Sequence, residues 1–134
     1  MEERCSGEST DLRAERAAKA VLDAAFRVHS ELGPGLLESV YESCLAWELE
    51  SVAVPFERQL VLPVRYRNLD LDAGLRLDLL IDDCLIVEVK AVDSLSEVHR
   101  AQLLTYLKLA RKRLGLLLNF NVTHLRQGIR RVVL

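Results

Sequence analysis

No stretch of the 134-residue chain approaches the roughly 18 consecutive apolar residues that a membrane-spanning helix needs. The first ten residues, MEERCSGEST, lack the apolar centre of a secretory signal and the basic amphipathic character of a transit peptide. The expected location is therefore the cytoplasm, with no membrane partner. Cysteine is scarce. Cys5, Cys44 and Cys84 are far apart and form no C-x-x-C pair, which argues against a disulfide framework. They read as two small buried hydrophobes and one exposed thiol in the tail. Six glycines and three prolines without period exclude a fibrous repeat. Aromatic residues make up 5% of the chain, too few for an extended surface that stacks single-stranded bases. The sole tryptophan, Trp47, reads as a core residue.

Acidic residues are missing from one end. All 20 lie at or before Glu97, whereas Arg100, Lys108, Arg111, Lys112, Arg113, Arg126, Arg130 and Arg131 follow it. The net charge of −2 hides this asymmetry. It points to a polyanion-facing side, or to two halves that pair with each other in the fold.

What is present suffices for one domain. Half of the residues are hydrophobic, 28% are charged and the mean hydropathy is +0.11. Residues 1–9 read as a frayed tail and 10–134 as a single domain. Leu12, Ala17, Val21, Ala24, Ala25, Val28 and Leu32 recur at helical spacing over 10–32. Gly33-Pro34-Gly35 ends that helix. A second helix is expected at about 36–52, with Leu37, Tyr41, Cys44, Leu45 and Leu49 on one side. Residues 57–66 read as a strand, with Pro63 marking an edge or bulge, and Asn68 turns the chain. Residues 75–82 and 84–91 are two strands joined by a tight turn at Asp82-Asp83. Ser94 and Glu97 form a capping box opening a helix over 95–112. Residues 114–120 and 129–133 complete the strands. The order is α-α-β-β-β-α-β-β, an α/β domain with a mixed sheet and helices packed on it.

The hairpin carries the chemistry. Residues two apart share a strand face. Leu75, Leu77, Leu79 and Ile81 should face one way, and Arg76, Asp78 and Leu80 the other. Glu88 and Lys90 share a face with Cys84 and Ile86, and cross-hairpin pairing brings Asp78 beside them. Two carboxylates held together in so apolar a setting repel unless a cation sits between them. A hard divalent ion such as Mg²⁺ suits them: it takes one or two carboxylates and keeps its waters, one of which becomes a nucleophile. Lys90 then orients that water or stabilises the charge that develops on phosphorus. The plainer reading of so short a pattern is a solvent-facing Glu–Lys pair on an edge strand. Gln102 and Tyr106, at i and i+4 on the following helix, share a face that packs back over the hairpin. They are either cleft residues or buried polar groups bonded to backbone. Glu38 is either a favourable acid in a first helical turn or a third carboxylate. His29 reads as a core or cleft-wall histidine, and His99 and His124 as surface residues.

These residues carry a resemblance. Gly35-Leu36-Leu37-Glu38-Ser39-Val40-Tyr41 is similar to the G-x-x-E-x-x-Y signature of a bacterial family named for it, within the PD-(D/E)XK nuclease superfamily. Asp78 followed by Glu88-Val89-Lys90 resembles the D…E-x-K core. Gln102-Leu103-Leu104-Thr105-Tyr106 resembles the Q-x-x-x-Y helix of the RecB-like branch. Leu118-Asn119-Phe120-Asn121 and Gly128-Ile129-Arg130-Arg131 also match the family, so the resemblance runs from about residue 12 to the end. One departure is Leu77, where the superfamily name has Pro; that position varies.

The resemblance implies a restriction-endonuclease-like α-β-β-β-α-β core with an extra N-terminal helix, and divalent-metal-dependent phosphodiester hydrolysis. Asp78, Glu88 and the Val89 backbone carbonyl would be metal ligands, and Glu38 would assist, through a water. Lys90 would be catalytic, and Gln102 and Tyr106 would orient the site or touch the phosphate backbone. Mg²⁺ is the expected cofactor, with Mn²⁺ as substitute and no organic cofactor. Nucleic acid, DNA before RNA, is the expected partner. Arg76, Arg100, Lys108, Arg111, Lys112, Arg113, Arg130 and Arg131 are the candidate phosphate contacts. The small size favours a homodimer or a protein partner that completes the groove. The alternatives are a non-catalytic nucleic-acid-binding or accessory subunit on the same fold, and an interaction module whose acidic hairpin face pairs with the basic C-terminal region.

Overall fold

The computed structural model describes residues 9–134. The tail expected over 1–9, with Cys5, lies outside the described residues except for Ser9. Its elements are α1 (Thr10–Leu32), α2 (Glu38–Ser51), β1 (Phe56–Tyr66), β2 (Leu69–Ile81), β3 (Leu85–Lys90), α3 (Glu97–Ala110), β4 (Leu114–Asn119) and β5 (Ile129–Val133). A single 3₁₀ turn, Leu125–Gly128, precedes β5. The order is the one expected from the sequence.

The five strands form one sheet in the order β1-β2-β3-β4-β5. All neighbours are antiparallel except β3 and β4, which run parallel. A parallel pair needs a crossover, and α3 supplies it. The alanine-rich stripe of α1 (Ala14, Ala17, Ala18, Ala24 and Ala25) packs with Tyr41, Leu45 and Leu49 of α2 on one face of the sheet. Leu103 and Leu107 of α3 pack on the other face, against Leu75, Leu77, Leu80, Ile86 and Leu117. The layers are thus helix, sheet, helix, with β4 buried along its whole length and β3 up to Val89.

Several expectations need correction. β2 starts at Leu69 rather than 75, so β1 and β2 form one long hairpin turning at Arg67-Asn68. Its register shifts between Leu62 and Val64, at Pro63, whose missing N–H cannot join the ladder. The box at the start of α3 is formed by Ser96 and His99, not Ser94 and Glu97. The Ser96 hydroxyl accepts from the His99 N–H, and the Ser96 N–H donates to the His99 ring. Leu12 is 59% exposed and Trp47 65% exposed, because the apolar face of each helix is satisfied by smaller residues. Leu37 is also exposed, and Cys44 is half-buried while Cys84 is buried. The expected face alternation of β2 fails at one place. Leu75 and Leu77 lie on the α3 side, as does Leu80, whereas Leu79 and Ile81 lie on the α1 side. The pleat is interrupted at Asp78.

Candidate active site

The β2–β3 turn is tight because Asp82 and Asp83 both take positive φ, 49° and 56°. This is the geometry that matches strand twist, and aspartate tolerates it. The Cys84 N–H donates to the Ile81 carbonyl at 3.0 Å. From there the ladder pairs Ile81 with Leu85, Leu80 with Ile86, and Leu79 with Val87, and then stops. The next residues in register are Asp78 and Glu88. The strands splay here, and side chains replace the lost backbone partners. The Asp78 N–H donates to Glu88 Oε2 at 3.1 Å, and the Val89 N–H donates to Asp78 Oδ2 at 2.9 Å. A buried amide without an acceptor is costly. Each carboxylate is therefore locked onto the other strand.

Glu88 is only 4% exposed. Burial, and next the charge of Asp78, push its pKa up to about 8, against the Asp78 N–H and Lys90, which favour the anion. Metal-free, this carboxyl holds a proton at neutral pH. Two residues on, Lys90 Nζ donates to Gln102 Oε1 at 3.5 Å. One turn further along α3 is Tyr106, half-buried. Burial raises its pKa, as do Glu88 and then Asp78, while Arg76 opposes. Asp78, Glu88, Lys90, Gln102 and Tyr106 thus come together where β2 and β3 part, and the Arg76 charge is near enough to act on the Tyr106 hydroxyl.

Glu38 reaches the same end of β3 by another route. Gly33 and Gly35 take positive φ, 69° and 102°, which only glycine adopts without strain. The Tyr41 hydroxyl donates to the Gly33 carbonyl at 2.6 Å and accepts from the Leu36 N–H at 3.1 Å. Its ring stacks on Phe120, with centroids 4.6 Å apart. Tyr41 therefore shapes the loop that delivers Glu38, and Glu38 Oε2 accepts the Ala91 N–H at 3.2 Å. Glu38 touches the chain just past Lys90 and makes no hydrogen bond to Asp78 or Glu88. Asn119 pins the same segment: its Oδ1 accepts the Val92 N–H at 3.0 Å and its Nδ2 donates to the Val92 carbonyl at 2.9 Å.

Sequence reasoning missed a second line of support. Gln59 Nε2 donates to Glu42 Oε1 at 2.8 Å and approaches Asp78 Oδ1 at 3.5 Å. Glu42 is buried and also bonds Arg58. Gln59 itself has φ of 50°, and its place in β1 opposite the interrupted pleat explains why alternation failed. The one signal for Glu42 is its spacing: it lies one helical turn after Glu38, on the same face of α2.

Among the described residues, no group of three or more His, Cys, Asp or Glu is arranged to hold a metal ion. The donor set of the hairpin nevertheless fits one hard cation. It offers two carboxylate groups held together, and the burial and the repulsion from Asp78 that keep a proton on Glu88 are both offset when a dication replaces that proton.

The basic residues divide. Lys112 pairs with Asp83, Arg113 with Asp11, and Arg131 with Glu15. Leu114 is level with Leu85 and Asn119 with Lys90, so Lys112 and Arg113 sit about 17 Å from Lys90, at the opposite end of the sheet. Arg131 projects to the α1 side, away from the hairpin pair. Arg130 bonds the carbonyls of Gln127 and Ile129, and Arg111 is the left-handed cap of α3. Arg76, Arg100 and Lys108 are exposed. His29 is the cleft-wall histidine expected, and its Nε2 lies 2.8 Å from the Val122 carbonyl oxygen. No helix among the described residues is long and apolar enough to cross a membrane.

A family model described as the PD-(D/E)XK nuclease superfamily matches residues 15–132. Neither the curated proteins nor the solved structures contain a match to the chain.

Proposed function

The chain belongs to the PD-(D/E)XK nuclease superfamily, and from that premise we propose that it is a divalent-metal-dependent nuclease that hydrolyses phosphodiester bonds of DNA. We further place it in the G-x-x-E-x-x-Y family, with α3 as the Q-x-x-x-Y helix of the RecB-like branch. The observation that carries the reading is the reciprocal locking of Asp78 and Glu88 across splayed strands, with Lys90 and Gln102 beside them.

Asp78, Glu88 and the Val89 carbonyl would hold the cation, Mg²⁺ or Mn²⁺ in its place. When bound, it would supply an acidified water and neutralise charge on the phosphate. The protein groups do the rest. The N–H bonds fix both carboxylates before substrate arrives, so no reorganisation is needed at reaction. The Lys90 ammonium, held by Gln102, stabilises the negative charge that builds on the phosphoryl oxygens. Tyr106 walls the same cleft and offers its hydroxyl to the phosphate. Glu38, fixed by the Tyr41 loop, reaches the site through a water. Arg76, Arg100 and Lys108 line the approach as phosphate contacts.

The test is titration calorimetry of Mn²⁺ into the metal-free protein, paired with a cleavage assay on DNA. Saturable binding is expected in the wild type and is lost in Asp78→Ala. Asp78→Ala, Glu88→Ala and Lys90→Ala should each lower cleavage by at least about 10²-fold with the fold retained. Full activity in all three variants overturns the assignment. DNA binding without metal uptake or cleavage in the wild type supports the accessory-subunit reading instead.

A further inference from the structure

A second cavity opens at the same end of the sheet. It has a volume of about 520 Å³ and lies between α1, the Gly33-Pro34 turn and the loop after β4. His29, Ser30, Thr123, His124 and Arg126 supply its polar lining, and no carboxylate lines it. His29 is buried. A carbonyl oxygen only accepts, so the His29 ring nitrogen 2.8 Å from the Val122 oxygen carries a proton and donates it. That bond ties the loop bearing Thr123, His124 and Arg126 to α1.

The cavity adjoins the hairpin site through both of its walls. The Phe120 N–H donates to the Lys90 carbonyl at 3.0 Å, and Val122 lies two residues on, within about 7 Å along the chain. The other wall, Gly33-Pro34, leads directly into the loop that Tyr41 shapes to deliver Glu38. Glu88 shares the α3 face with Ile86, and the cavity faces α1. Both open where β3 and β4 end, the edge at which open α/β sheets bind ligands.

We propose that this cavity is a phosphate subsite, which holds one phosphate of the substrate strand away from the bond that is cut. Arg126 offers a planar fork of donors, His124 a second N–H donor, and Ser30 and Thr123 their hydroxyls, a set suited to phosphate oxygens. His29 acts as a positioning residue for the loop. The inference rests on the nuclease reading and deepens it. A strand crossing the carboxyl ends of β3 and β4 is gripped on the α1 side and cut on the α3 side, which fixes its path.

The experiment uses metal-free protein, so that nothing is cut. Short fluorescent single-stranded DNA, with and without terminal phosphates, is titrated into wild type, Arg126→Ser, His124→Ala and Arg126→Lys, each shown by thermal melt to fold as wild type. Arg126→Ser is expected to bind about tenfold more weakly. Its slope of log affinity against log salt should fall by about 0.7, the release of one phosphate contact on a single strand. Arg126→Lys should keep most of that slope. An equal loss on both DNAs assigns the subsite to an internal phosphodiester. A loss confined to the phosphorylated DNA assigns it to a terminal phosphate. Wild-type affinity and slope in both Arg126→Ser and His124→Ala overturn the subsite and leave the nuclease reading standing. A wild type that binds neither DNA also overturns the subsite, while the nuclease reading is decided separately by Mn²⁺ uptake and cleavage.

Discussion

Glu88 is a carboxyl that burial and a neighbouring charge keep protonated, with a pKa of about 8 against 4.5 for an unperturbed glutamate. The folded value is the higher one. The stability it contributes is therefore fully present below pH 4.5 and is lost as pH rises through about 8. We expect metal-free wild type to lose up to about 1.4 kcal/mol per pH unit within that window, relative to Glu88→Gln. Urea unfolding of both proteins between pH 5 and 9 measures it, and parallel curves would refute it. Divalent cation should flatten the wild-type curve, because it takes the place of the proton. Tyr41 makes a second point at this scale. Its hydroxyl serves two backbone groups of the loop before Glu38. Tyr41→Phe keeps the stack on Phe120 and leaves both groups without their partner. A loss of about 1–3 kcal/mol is expected by denaturant unfolding, with a fall in kcat larger than any change in KM.

The informative elements are those that depart from regularity. β2 and β3 hold a ladder for three residue pairs and then part, and the carboxylates sit at the parting. β1 bends opposite them at Gln59. The 3₁₀ turn before β5 is equally specific. A Cβ on Gly128 would lie 2.1 Å from the Asn119 carbonyl oxygen, far inside contact distance. Asn119 in turn holds the Val92 backbone, just past the end of β3. Gly128→Ala should therefore cost about 2–4 kcal/mol by forcing the β4–β5 connection apart. It should also weaken cation binding through Val92 and the end of β3. Thermal melts and Mn²⁺ titration read the two effects separately, and a melt equal to wild type would contradict the contact.

Across the whole molecule, the charge asymmetry resolves into two roles. Part of the basic C-terminal region neutralises acids from earlier in the chain: Arg131 with Glu15, Arg113 with Asp11 and Lys112 with Asp83. These pairs are largely exposed, lie away from the hairpin and are screened by salt. Arg76, Arg100 and Lys108 instead stay exposed, and the Arg76 charge acts on the Tyr106 hydroxyl of the cleft. Charge reversal should separate the two groups. Arg131→Glu is expected to leave DNA affinity near wild type, whereas Arg76→Glu should weaken it about tenfold and reduce its salt slope. Anisotropy titrations at several salt concentrations decide this, and equal effects of the two reversals would contradict the division.

Element order, the mixed sheet and the candidate pair were legible in the amino-acid sequence, because apolar periodicity and turn chemistry are local. Gly33-Pro34-Gly35 and Asp82-Asp83 mark their turns without help from the rest of the chain. The sequence also singled out Asp78, Glu88, Lys90, Gln102 and Glu38, since ionisable groups stand out against apolar strands. What it did not determine depends on contacts between distant segments. Pleat alternation placed Leu75 and Leu77 on the wrong face, because Gln59 and the splay at Asp78 reset the pleat. Trp47 was read inward, yet smaller residues already fill the face of α2 that meets the sheet. Gln59 and Glu42 carry no local signature, and only the packing of α2 over β1 brings them to Asp78. Whether a basic residue serves a phosphate or a neighbouring acid is likewise decided by tertiary structure, because charge is a property of the residue and its partner a property of the fold.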